Sequence, residues 1–483
     1  MKKNLGLGAL IALVLSSMVG AGIFSLPQNI AANAQVGAIA IGWLITGVGM
    51  IALALVYQFL SLRRPDLDGG IFTYAKAGFG SLIGFNAAWG YWICQLLANV
   101  SYVVVLCCAL SYFVDTPEQV ILGEGNTPAA IALGSVLIWG VHALVLRGIR
   151  LAAFVNIITT IAKLVPLVVL CVALLLAFHL DTFTLDIWGQ GTPELGSVLE
   201  QVKSTMKVTL WVFIGIEGAV VVSAHATHRR DVGRATIIAL LSALALYLMV
   251  SLFALGVMTQ PEVAALKNPS TAAILEAIVG PWGAWLINGG MMISVCGAFL
   301  SWTLLACEVP FIAARTGLFP TWFAAENRHG APHHALWAST LMIQLFLLII
   351  LFQQSTYLML VNITTAAALV PYVFSGAYVF SGAYGLRLSA SGVSYDGQPL
   401  ARRRDMGIAL LATLYGLWLV YAAGLHYLLL VTLLYAPGIG VYWLARRQHG
   451  ARHLNNLERL ITVLLFAIVG WTIWLLSHHT LSL

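Results

Sequence analysis

The sequence predicts an all-α integral membrane protein built from two five-helix repeats of opposite orientation, followed by additional C-terminal helices. Three observations carry this expectation. Of the 483 residues, 60% are hydrophobic and only 9% charged, against about 25% charge in a soluble domain. Apolar runs near the ~20 residues that a spanning helix needs recur along the whole chain, without the alternating short segments of a membrane barrel. Two of those runs, the first and the sixth, are interrupted by glycine at mid-membrane depth.

The runs read as thirteen spans, at roughly 6–33, 37–61, 82–113, 129–146, 151–178, 202–226, 235–258, 282–312, 335–352, 357–385, 406–424, 427–444 and 460–477. The first run lacks a convincing cleavage site and is read as a retained helix. With the N-terminus inside, 20 of the 24 basic residues fall in inside segments, Lys203, Lys207 and Lys267 lie outside, and Lys163 lies within a span. That bias fixes the orientation. It also accounts for the net charge of +6 as topology signal rather than a nucleic-acid patch. An odd number of spans places the C-terminus, "SHHTLSL", on the far side. The loop "DTPEQVILGEGNTP" (115–128) has three acids and no base, which suits the outside. The longest inside loop, "GLRLSASGVSYDGQPLARRRD", is polar, and no segment is large enough for a separate soluble domain. The expected units are residues 1–180, the inverted repeat 200–388, and extra helices over 405–483.

Within the spans, polar residues and helix breakers mark the functional region. The stretch "LSSMVGAGIFSLPQNIA" places Gly20 and Gly22 at mid-span, with Pro27 following. Backbone amides and carbonyls are not left bare in lipid, so a break there faces a cavity or protein; close helix packing through small residues is the alternative. In "VTLWVFIGIEGAVVVSAH", Glu217 sits at the membrane centre beside Gly215 and Gly218. A carboxylate there costs about 2.5–3.5 kcal/mol and usually marks an ion or substrate path; a protonated Glu bonded to a neighbouring carbonyl is the alternative. Lys163 is the one lysine deep in a span, with Pro166 following. A paired or carbonyl-capped ammonium fits better than a merely tolerated one. Gln95, Asn99 and Tyr102 follow at i, i+4 and i+7 and share a helix face, as a cavity lining or as interhelical hydrogen bonding. Trp302 and Glu308 lie in the eighth span, Glu308 near its inside end as a candidate interfacial acid, and Thr364, Thr365 and Tyr372 surround Pro371 in the tenth.

Breaks in spans one and six, five spans apart, are the mark of an inverted repeat, because an odd offset reverses the direction of entry. The free amides of a half-helix favour a carboxylate, and Glu217 favours a cation. Together they describe a zwitterion with one extra positive charge, a basic amino acid. Other chemistries find little support. The six cysteines lie in apolar runs without a CxxC pair and read as small buried hydrophobes. His225 and His228 form an HxxH beside Arg229 and Arg230 in a polar loop, with no third metal ligand in view. No GxxxxGK[ST] motif occurs, and the spans hold no convincing nucleophile–base pair.

These residues are similar to a known family. "GAGIFSLP", "TLWVFIGIEG", "SWTLLA" and "RTGLFP" resemble the motifs of helices one, six and eight in the basic amino acid/polyamine antiporters of the amino acid–polyamine–organocation superfamily. The similarity covers about residues 1–450. The resemblance implies a LeuT-like fold with discontinuous helices 1 and 6, no enzyme activity, no cofactor, and a bacterial cytoplasmic-membrane location. It implies that Met18, Ala21 and Gly22 meet the substrate carboxylate. Ala21 stands where an agmatine-exchanging relative has serine. Trp211 and Ile214 would flank the aliphatic stem, and Trp302 would contact the head group. Gln95, Asn99, Tyr102 and Thr364 match further pocket positions, with Gln95 and Tyr102 departing in residue type. Tyr91, Glu217 and Tyr372 would form a gate, and Lys163 would stand in for the sodium of other members. The expected activity is electroneutral exchange of external arginine for internal ornithine. The rivals are proton-coupled or exchange transport of another basic amino acid or its amine (lysine, agmatine, cadaverine), and an ion channel. The thirteenth span departs from the usual twelve, and a homodimer is left open.

Overall fold

The structure, a computed structural model, describes residues 5–116, 118–123, 125–352, 376–423, 425–450 and 454–478. Among them ten unbroken helices are long and apolar enough to cross a membrane, and an eleventh crossing is a pair bent by 41°. That pair is α1 (Leu7–Met18) and α2 (Gly22–Ala31). Then come α3 (Val36–Arg63), α4 (Ile71–Phe79), α5 (Ser81–Val114), α6 (Pro128–Leu146) and α7 (Ile149–Leu176). The expected sixth span is α8 (Val198–Phe213) and α9 (Gly218–Val221), separated by four non-helical residues and followed by a turn at Ser223–His225. Next are α10 (Arg229–Val257), α11 (Ser270–Val279), α12 (Pro281–Arg315) and α13 (His333–Phe352). Helix α14 covers the described part of the tenth span, 376–391. The chain closes with α15 (Pro399–Ala423), α16 (Leu425–Gln448) and α17 (Asn456–Ser477).

Burial sorts these helices. In α12, 83% of the apolar window is buried inside the protein; in α17 only 6% is. Helix α12 is therefore the central post, packed along α5 and α7. Helix α17 lies at the periphery and leans on α16. Tyr442 Oη donates to Glu458 Oε1 at 2.5 Å, Arg446 sits 3.7 Å from the same carboxylate, and Asn455 caps the helix start. The acidic loop after α5 is organised by Asp115, whose carboxylate accepts from the backbone N–H groups of Ile121, Leu122 and Gly123 at 2.7–2.9 Å. Those donors, Leu122 first, hold the Asp115 carboxyl below the usual carboxylate range.

The two breaks are neighbours. Half-helix α1 packs on α9 and α2 packs on α8, so the first and sixth crossings run antiparallel with their interruptions at one depth. Gly215 makes this possible. Its φ is +112°, and an added Cβ would stand 2.7 Å from Ser17 Oγ and 2.9 Å from the Ser17 carbonyl carbon. Only glycine takes that backbone conformation readily and lets the chain pass so close. Gly215→Ala combines backbone strain with a clash, each worth about 1–3 kcal/mol. It is expected to lower the thermal unfolding midpoint of the purified protein by several degrees, and an unchanged midpoint would show that the break relaxes without cost.

Candidate functional site

The last carbonyls of α1 have no partner within their own helix, and the structure satisfies them one by one. Ser16 O accepts from Lys163 Nζ at 3.2 Å, and Ser17 O from Trp302 Nε1 at 3.0 Å. Val19 O accepts from Lys163 Nζ at 2.6 Å and from Ser294 Oγ at 3.1 Å. Gly20 O lies 3.2 Å from the same serine hydroxyl. Lys163 Nζ also reaches Ser16 Oγ at 3.0 Å, and its side chain is fully buried. Leu15 and Met18 carbonyls accept from the amides of Val19 and Gly20. An ammonium and two polar side chains thus close the negative end of a half-helix in the middle of the molecule, the arrangement that the helix dipole favours. Behind them, Asn156 Oδ1 accepts from Ser301 Oγ at 2.8 Å and joins α7 to α12.

The opposite end is left differently. Among the described residues no side chain caps the amides at the start of α2. Facing them across the break is the sixth crossing, tied to α1 where Ser17 Oγ comes within 3.0 Å of Gly215 O. Glu217, fully buried, accepts from Tyr91 Oη at 2.8 Å, Tyr378 Oη at 3.1 Å and the Gly215 amide at 3.3 Å. Among the described residues no basic side chain forms an ion pair with it.

Between these two ends is a cavity of about 30 Å³, lined by Ser17, Met18, Gly20, Gly22, Ala98, Tyr102, Trp211, Val212, Ile214 and Trp302. Six of the expected residues therefore meet here: Met18, Gly22, Tyr102, Trp211, Ile214 and Trp302. Ala21 forms the hinge itself, immediately before α2. Tyr91 and Glu217 are bonded to each other as expected. Gln95 and Asn99 do not line this cavity, but both are fully buried on its helix. Their four amide atoms have no hydrogen-bond partner among the described residues. Buried polar groups are almost always paired, so this pair is poised for a ligand or water. Thr364 and Tyr372 lie outside the described residues. Sequence reasoning missed Tyr378 on Glu217 and Ser294 on Val19. The signal for Ser294, a hydroxyl at mid-span, was present; nothing in the sequence tied Tyr378 to a carboxylate 161 positions away.

One end of the bundle is sealed by a second polar cluster. His225 Nε2 and Glu308 Oε1 are 3.0 Å apart, and both side chains are buried. Asp68 pairs with Arg229, and Ser223 Oγ approaches it at 3.4 Å. Leu5 adds a short strand-like clip, donating its amide to His225 O at 3.0 Å and accepting from Thr227 N at 2.9 Å. This corrects two sequence readings. Glu308 is a buried partner, not an interfacial acid, because the turn after α9 carries His225 inward. His225 is accordingly not a polar-loop residue; His228, 3.6 Å from Asp231, is the exposed member of that HxxH. No group of three metal-ligating side chains occurs among the described residues. Cys108 is exposed, unlike the buried Cys94, Cys107, Cys171 and Cys307.

A family profile described as amino acid permease matches residues 5–438. This chain belongs to the amino acid permease family. The permease is similar to the arginine/ornithine antiporter of Pseudomonas aeruginosa, with 49% identity over 95% of this chain and 94% of that one. It is 50% identical to a putative arginine/ornithine antiporter of Escherichia coli, over 99% of this chain and all of that one. An arginine/agmatine antiporter of Chlamydia abortus is 44% identical over 91% of this chain and 89% of its own length. Membership makes the protein a multi-pass membrane transporter rather than an enzyme, and the broken crossings are its centre. Lys163→Met keeps the volume but removes a charged donor from two backbone carbonyls. Bonds to a charged group contribute about 1.5–3 kcal/mol, so the purified permease is expected to lose roughly that much stability in thermal or chemical unfolding while still inserting in the membrane. No loss would mean that water replaces the ammonium.

Proposed function

We propose that this permease exchanges extracellular arginine for intracellular ornithine across the bacterial cytoplasmic membrane by alternating access, in support of arginine catabolism. The observation that carries the reading is the pairing of opposite requirements at one depth: amides at the start of α2 and a buried Glu217 carboxylate, neither of which has a charged or capping side-chain partner among the described residues. The amides suit the substrate carboxylate. Trp211 and Trp302 flank the cavity and offer ring faces to a cationic head group. Gln95 and Asn99, whose amides lack a partner among the described residues, supply donors and acceptors along the same helix. Lys163 takes the place of a bound cation in bracing α1. Tyr91, Tyr378 and Glu217 act as a gate that a cation passes or neutralises, with Tyr372 in the same role as the resemblance implies. Thr364 is assigned to the pocket on the resemblance alone.

The names of the relatives support arginine as one cargo. Arginine and ornithine each carry one net positive charge near neutral pH, so their exchange moves no net charge and runs on the two gradients. The chain lies with its N-terminus in the cytoplasm and its C-terminus in the periplasm, on the strength of the basic-residue bias. Residues 1–180 and 200–388 form the two inverted repeats, and 405–483 the added helices. A homodimer in the bilayer is compatible with the peripheral position of α17.

Agmatine as counter-substrate is the second reading, favoured by the chlamydial relative. It carries two positive charges, so exchange with arginine would respond to membrane potential. Proteoliposomes loaded with ornithine are expected to take up labelled arginine, independently of an imposed potential, and empty vesicles are not. Equal uptake by both overturns obligate exchange, and uptake driven only by internal agmatine overturns the ornithine assignment. Glu217→Gln keeps the shape and removes the charge. It is expected to raise the KM for arginine about tenfold, the scale of one charged hydrogen bond; an unchanged KM removes Glu217 from the path.

A further inference from the structure

Far from the central cavity, where the segment after α14 turns into α15, a pocket of about 520 Å³ opens at the end of the bundle. Its lining includes Tyr395, Gln398, Arg402, Arg403 and Met406, with Asp396 as the one acid. The wall behind it has its own charge pairing. Asp405, buried, is shared between Arg63 Nε at 3.1 Å and Arg404 Nη2 at 2.9 Å, and Tyr395 Oη donates to it at 3.0 Å. The Arg63 guanidinium lies 3.7 Å over the Tyr395 ring and donates to Ser394 O at 2.8 Å.

The charges that face the pocket are not used up in this way. Arg402 donates to the Ser389 and Ala390 carbonyls at 2.8 and 2.6 Å, which position the guanidinium but leave its charge uncompensated. Arg403 is exposed and has neither an ion pair nor a hydrogen bond among the described residues. Its place on α15 is the informative part. Leu400, Arg403, Leu410, Leu414, Leu417 and Tyr421 fall at three- and four-residue spacing on one helix face. The apolar members are all 46–80% exposed. An apolar stripe of this kind, in a membrane protein, faces acyl chains. Arg403 therefore stands where that stripe meets the aqueous boundary, beside a pocket large enough for more than its own snorkelling side chain.

We infer that this pocket is a binding site for an anionic phospholipid. Its phosphate sits between Arg402 and Arg403, and its acyl chains run along the Leu410–Leu414–Leu417 stripe. Basic pockets at membrane-helix ends take anionic headgroups by the same charge complementarity, each surface arginine contributing about 1 kcal/mol. A free anion would use the arginines but not the stripe, and a zwitterionic lipid would use the stripe but gain little from two uncompensated guanidinium groups.

The test uses the full-length purified permease in detergent, titrated with phosphatidylglycerol, with phosphatidylcholine of the same chains, or with inorganic phosphate, and bound lipid is counted by native mass spectrometry. The expected result is preferential retention of phosphatidylglycerol, weakened about fivefold by Arg403→Gln and largely kept by Arg403→Lys, with phosphatidylcholine binding unchanged in both variants. Equal retention of the two lipids, or no effect of Arg403→Gln in a monodisperse preparation, overturns the inference. Displacement of the lipid by millimolar inorganic phosphate also overturns it, in favour of a small-anion site. A second measurement needs no variant: a photoactivatable phosphatidylglycerol is expected to label residues 393–417 of the wild-type chain, and labelling confined to other segments overturns the assignment.

Discussion

A backbone interrupted inside a membrane must find every missing hydrogen bond within the protein, and this constraint organises the molecule. At the first break the carbonyl side is answered completely. Lys163 from α7 and Ser294 and Trp302 from α12 take up the carbonyls of Ser16, Ser17, Val19 and Gly20, and the local turn amides take up those of Leu15 and Met18. The amide side is not answered by any side chain among the described residues. The asymmetry matters more than either half. A protein that had spent donors and acceptors equally would have a stable kink and nothing to bind with. Here the surplus is a set of N–H donors at a helix start, where an anion is favoured.

The second break supplies the complementary surplus. Glu217 is held by two phenols and one amide, all neutral donors. They satisfy its lone pairs without cancelling its charge. The two breaks are locked at one depth by the contact of Ser17 with Gly215, a contact that a side chain at residue 215 would prevent. An amide cluster for a carboxylate and an acid for a cation are thereby fixed a short distance apart, with Trp211, Ile214 and Trp302 between them. The geometry follows from the backbone requirement, and the proposed selectivity for a cationic amino acid rests on that geometry.

Much of this was legible in the sequence for a physical reason: a membrane makes polar residues and glycines conspicuous. Gly20, Gly22, Gly215, Glu217 and Lys163 each break the rule of an apolar span, and each proved to sit at the centre. What stayed hidden was pairing. Glu308 looked interfacial because its position near a helix end says nothing about His225 arriving from the turn after α9. Tyr378 looked like one of many aromatic residues, since its value lies in a partner on another helix. The same holds for Asn156, which joins two helices through Ser301. The character of a residue can be read from its own span, but its partner depends on how the helices are assembled. The peripheral place of α17 was illegible for the converse reason, because an apolar helix that touches lipid and one that touches protein have the same composition.

The central cavity also says something about exchange. At about 30 Å³ it has room for roughly two water molecules by the usual measure, far less than the dozen heavy atoms of a basic amino acid. One side is shut by the buried His225–Glu308 pair, the Asp68–Arg229 pair and the clip made by Leu5. A cargo of that size fits this cavity only when side chains such as Tyr102 and Trp211 withdraw. A compact empty state with its polar groups mutually satisfied has little reason to rearrange by itself. Gln95, Asn99 and the α2 amides are exceptions near the site, and in the proposed exchange they regain partners when cargo binds, so the loaded carrier loses the penalty that the empty one retains. A ligand shifts a conformational equilibrium only through such a difference between states. Unsatisfied groups at the site and satisfied groups at the seal are together the physical basis for a carrier that moves readily when loaded.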